Sequence, residues 1–78
     1  YEAVRAARAA PWARLGIARA DLDAGRTKEA VGTLTALMTE DPGYADAYDV
    51  MGRAQVEQGD LAAALATFRQ AVAITPHS

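Results

Sequence analysis

The chain has 78 residues, about half a typical domain, with 51% apolar and 23% charged side chains, 20 alanines, three prolines and no cysteine. That is the composition of one small globular unit or a piece of a larger array; it excludes a disordered segment, a disulfide-stapled fold, a thiolate metal site and a thiol nucleophile. A net charge of −2 argues against nucleic acid as partner, and the lack of a roughly 20-residue apolar run or a signal-peptide pattern points to a cytoplasmic chain with no membrane role.

So much alanine with few β-branched residues favours close-packed helices over sheet. Residues 1–9, Tyr-Glu-Ala-Val-Arg-Ala-Ala-Arg-Ala, read as the end of an earlier helix, within a leader of ten residues. A first element is predicted over 12–24, starting behind Pro11 and ending at Gly25, where a helix end calls for a left-handed residue. A second, over 27–40, carries Ala30, Val31, Leu34, Leu37 and Met38 on one face, with Thr27 as its candidate cap. Pro42, lacking an amide hydrogen, stops it. A third is predicted over 45–58 and closes at Gly59. A fourth, over 61–74, is capped by Asp60, carries an apolar stripe of Leu61, Ala64, Leu65, Phe68, Ala71 and Val72, and stops at Pro76.

These elements form a repeat. The spacing from Gly25 to Gly59 returns between Pro42 and Pro76, Ala30 and Ala64, Ala20 and Ala54, Ala13 and Ala47, Arg19 and Arg53, and Thr33 and Thr67. Apolar positions correspond in kind: Ile17/Met51, Leu22/Val56, Val31/Leu65, Leu34/Phe68 and Met38/Val72. Both glycines end one helical pattern and both prolines end the next, so the chain reads as one unit written twice, over 11–44 and 45–78. The fold class expected is all-α, antiparallel helix–turn–helix repeats stacked on one another. A single hairpin of this length cannot bury its own stripe; stacked neighbours do that. The stripe of Leu65, Phe68 and Val72 has no later helix to close it, which suggests a fragment of a longer array or a chain that covers this face by self-association.

The second unit resembles the tetratricopeptide repeat through Tyr48, Met51-Gly52, Gly59-Asp60-Leu61, Ala64, Phe68, Ala71 and Pro76. The first matches at Gly25, Ala30, Leu34 and Pro42, with Ile17-Ala18 in place of Leu-Gly and Arg14 at the large aromatic position. The resemblance covers 68 of the 78 residues. A looser one, carried by Pro11-Trp12-Ala13-Arg14-Leu15-Gly16 and Asp46-Ala47-Tyr48-Asp49, is to repeats attached to bacterial response-regulator receiver domains; the 78 residues contain no such domain.

The tetratricopeptide resemblance implies a short right-handed α-solenoid whose first helices line a concave groove for a peptide or partner helix. Groove positions would be Trp12, Leu15, Arg19, Leu22 and Asp23 in the first repeat, and Asp46, Asp49, Val50, Arg53, Val56 and Glu57 in the second. Arg19 and Arg53 would then present guanidiniums side by side, a pairing suited to carboxylates. Alternatively they pair with Asp23, Asp46, Asp49 or Glu57. Leu22 and Val56 would form an apolar floor. The carboxylate clamp known in this family does not carry over: Leu15 and Asp49 stand where its lysine belongs, and arginine where its asparagine belongs.

Charge is unevenly spread: residues 1–19 carry a net +3 and residues 20–60 a net −6, which could steer a partner, let copies stack end to end, or be solvated helix faces. The lone histidine, His77, sits in a terminal tail, leaving no material for a His-based triad or a transition-metal site. Asp21-Leu22-Asp23-Ala24-Gly25 opens like a calcium loop, but Arg26 and Gly32 occupy the positions of its glycine and its glutamate. Asp46 and Asp49 share a helix face as solvated carboxylates rather than an acid–base pair. Trp12 either packs on the leader or anchors a partner; Tyr48 packs between helices; Tyr1 and Tyr44 sit at helix junctions. Neither a small-molecule substrate nor a cofactor is expected, and no catalytic residue is assigned. The function expected is non-catalytic binding of a protein or peptide, with self-association into a homo-oligomer as the alternative.

Overall fold

A computed structural model describes residues 10–74. They form four helices, α1 (Pro11–Asp23), α2 (Thr27–Glu40), α3 (Ala45–Glu57) and α4 (Leu61–Ile74), with no strand among the described residues. Each bound lies within one residue of the sequence expectation. The bounds of α3 and α4 are those of α1 and α2 moved along the chain by the Gly25-to-Gly59 spacing. The expected leader helix, Tyr1, the stop at Pro76 and the His77 tail lie outside the described residues.

Local chemistry accounts for the bounds. Pro11 opens α1, where its fixed φ suits the helix and its missing N–H has no intrahelical partner to lose; the Ala10 carbonyl accepts from the amides of Ala13 (2.9 Å) and Arg14 (3.1 Å). α1 and α3 end in the same way. Gly25 (φ +86°) and Gly59 (φ +82°) adopt the left-handed conformation. The glycine amides donate to Leu22 (3.1 Å) and Val56 (2.9 Å), while the amides of Arg26 and Asp60 reach back to Asp21 (2.7 Å) and Gln55 (3.0 Å). This pair of bonds is the Schellman arrangement, which satisfies carbonyls that the helix end would otherwise leave bare. At the other turn, Asp41 takes an extended φ of −138° ahead of Pro42, and α2 stops at Glu40.

Asp60 caps α4 as expected, its carboxylate accepting from the Ala63 amide at 3.1 Å. Thr27 does not cap α2. It is the first helical residue, and the cap position belongs to Arg26, the counterpart of Asp60, which makes no side-chain cap. Arginine has only donors, so it cannot accept from the first-turn amides. Its Nε instead donates to Asp21 Oδ1 at 2.9 Å, bracing the turn from outside.

α1 packs on α2 and α3 on α4, while α3 also lies against both α1 and α2. The core consists of Leu15, Ala18, Ala30, Leu34, Leu37, Ala47, Val50 and Met51, with Leu22, Val31, Met38 and Tyr44 half-buried against it. Comparing equivalent positions of the two hairpins locates the seam between them. Leu15 is buried and Asp49 exposed; Leu22, Val31 and Met38 are half-buried, whereas Val56, Leu65 and Val72 are exposed. The opposite trend holds for Gly16, Ile17 and Ala20, which are exposed while Val50, Met51 and Ala54 are buried. The first set is the side of hairpin one that hairpin two covers. The second is the side of hairpin two that does the covering.

Candidate functional site

The first helices of the two hairpins, α1 and α3, touch each other, and the residues expected at a binding groove lie on them. Arg19 and Asp23 on α1, with Asp46, Asp49, Arg53 and Glu57 on α3, are all exposed. Trp12 is 74% exposed, a large apolar surface left open to solvent. Val56 is exposed and Leu22 half-buried against the core, so the apolar floor expected from this pair is open only at Val56.

Two expected groove residues are not available to a partner. Leu15 and Val50 are buried in the core, because they face each other's hairpin across the seam. Their counterparts Asp49 and Gly16 have no neighbouring hairpin among the described residues and are exposed. Equivalent sequence positions therefore have different fates according to which side carries a neighbour.

The expected alternative for Arg19 and Arg53 is pairing with nearby carboxylates. Among the described residues neither arginine forms an ion pair; the two ion pairs there are Arg14–Glu40 and Arg26–Asp21. Asp23, Asp46, Asp49 and Glu57 are likewise unpaired among the described residues. Both guanidiniums thus keep their donors free for a ligand.

Arg14 carries a role that sequence reasoning missed. Its side chain is only 10% exposed, and Nη1 lies 2.6 Å from Glu40 Oε1 with Nη2 3.5 Å from Oε2, tying the start of α1 to the end of α2. The signal was present: Arg14 occupies the position of Tyr48, and Glu40 that of Ile74. An Arg–Glu pair in one repeat stands where the other has an aromatic and an aliphatic residue. Tyr48 and Tyr44 are half-buried, in keeping with packing roles. Gln55 and Thr67 make a further link between α3 and α4, Thr67 Oγ1 donating to Gln55 Oε1 at 2.6 Å.

Among the described residues no group of three or more acidic, His or Cys side chains is placed to hold a metal ion, and no helix is long and apolar enough to cross a membrane. What the surface offers is charged and apolar side chains on two first helices that touch each other, in a chain built from a helical hairpin written twice. The family model of the tetratricopeptide repeat matches residues 22–78, more than two thirds of the chain, and the chain belongs to that family. Its members generally mediate protein–protein interactions and are typically non-catalytic. No curated protein matches the chain.

Proposed function

We propose that the exposed faces of α1 and α3 form a groove that binds a partner helix or an extended peptide bearing a carboxylate. The observation that supports this most is that Arg19 and Arg53 are exposed, equivalent and free of ion pairs among the described residues. A guanidinium fork left open on each of two adjacent helices suits a carboxylate placed between them. Trp12 supplies an apolar anchor at one end and Val56 one at the other. Affinity comes from apolar contact with these two residues, and orientation from the arginines. Asp23, Asp46 and Glu57 flank the arginines and disfavour peptides that are acidic along their whole length.

Selection from a displayed library of random peptides on the immobilised chain tests the reading. The expected ligands carry one or two acidic residues beside an aromatic or aliphatic one. Arg19→Glu with Arg53→Glu should weaken them about tenfold or more while leaving the melting temperature unchanged, because both side chains are exposed and unpaired. Ligands that bind the double variant equally well would remove the arginines from the site, and a parallel fall in melting temperature would make them structural.

A second reading, self-association, is favoured by a separate observation. Leu61, Leu65 and Val72 form an exposed stripe along α4, with Leu65 53% and Val72 68% exposed. These residues recur at helical spacing on one face, whereas scattered exposed leucines would call for no explanation.

A further inference from the structure

We propose that the chain associates head to tail, Asp49 of α3 and the Leu61–Leu65–Val72 stripe of α4 receiving the Ile17 face of α1 from a second copy. This rests on the self-association reading and specifies its geometry. The chain itself shows what covers such a stripe. Val31 and Met38 of α2 are the counterparts of Leu65 and Val72, and they are half-buried against a core to which α3 contributes Ala47, Val50 and Met51. The surface that suits the α4 stripe is therefore the covering side of a helix equivalent to α3. The chain carries one such side unoccupied among the described residues. On α1, Ile17 is 48% exposed where its counterpart Met51 is 7% exposed, and Gly16 and Ala20 are exposed where Val50 and Ala54 are buried. The two outer faces of one molecule are the two halves of its own internal seam.

The junction between copies is weaker than the internal seam, because it sets Asp49 and Gly16 where the internal seam sets Leu15 and Val50. Assembly therefore appears only at high concentration. A heterologous contact leaves one of each face free at the ends, so assembly does not stop at a dimer. Stacking in this register also sets the α1 and α3 faces of successive copies in one continuous row.

Two substitutions, each on one face, test the geometry in the full 78-residue chain. In sedimentation experiments carried into the millimolar range, the weight-average mass of the unaltered chain should rise past that of a dimer. Ile17→Glu and Leu65→Glu should each give a monomer, since each removes one of the two faces. Mixed in equal amounts they should form a one-to-one heterodimer and nothing larger, because each supplies the face the other lacks. Circular dichroism checks that both remain helical; Ala20→Glu and Val72→Glu, also at exposed positions, replace either variant that does not. If Ile17→Glu associates as the unaltered chain does while Leu65→Glu does not, two α4 stripes pair with each other: self-association stands and the head-to-tail geometry falls. A mixture that stays monomeric overturns the geometry too. An unaltered chain that is monomeric at the highest concentration overturns both.

Discussion

Gly52 and Gly59 lie on the same hairpin and are glycine for unrelated reasons. Gly59 has a positive φ with no heavy atom near where a Cβ would stand, so the requirement is conformational. Gly52 is inside α3, and a Cβ there would come within 2.7 Å of Phe68 Cδ1 and Cζ, so the requirement is space for the ring. The first hairpin solves the same contact with Ala18 and Leu34, both fully buried: one methyl more on one side and a smaller side chain on the other. Gly52→Ala should therefore cost about 1–3 kcal/mol of stability as an overpacked contact. Adding Phe68→Leu should recover about 1 kcal/mol of that loss, a coupling read from urea denaturation of the two single variants and the double. Additive losses would mean that the ring and the glycine do not share one space.

At the scale of the helix, the two hairpins share their boundaries but not all the means that fix them. The glycine turns are the same bond for bond, and a sequence shows them openly, because only one residue type tolerates that conformation without a steric cost. The starts of the second helices are only half legible. Asp60 is an acceptor that can cap α4, while its counterpart Arg26 cannot cap α2, and the threonine one position later is no substitute. Hydroxyl and carboxylate caps depend on a register of a single residue, finer than a pattern of apolar spacing resolves. The buried Arg14 is hidden for a different cause: its partner Glu40 is far along the chain, at the other end of the hairpin, and an arginine on a helix ordinarily reads as surface. The Glu40 side chain is 57% exposed, so the pair is open to water on one side and adds little beyond the packing of the arginine stem. Arg14→Tyr, which installs the side chain found at position 48, should hold or raise stability, within about 1 kcal/mol, whereas Arg14→Ala should lower it by about 2 kcal/mol through lost packing of the buried side chain. Thermal melts of the two variants decide, and a tyrosine variant as unstable as the alanine one would show that the guanidinium itself is required.

For the molecule as a whole, the repeat is plain in the sequence, since glycine, proline and apolar positions all return at one spacing. The surface is less plain. Two of the expected groove residues, Leu15 and Val50, are core, because spacing assigns the same role to both members of an equivalent pair while packing does not. Among the described residues, position 15 has a neighbouring hairpin above it and position 49 does not; position 50 has one beneath it and position 16 does not. The most direct check of the seam uses the natural lack of cysteine. Single cysteines placed at Val31, Leu65, Ile17 and Met51 report their own accessibility through the rate of thiol labelling, measured in dilute protein so that copies do not cover one another. Labelling should be slower at 31 than at 65, and slower at 51 than at 17; equal rates within each pair would show that the second hairpin does not seal the first.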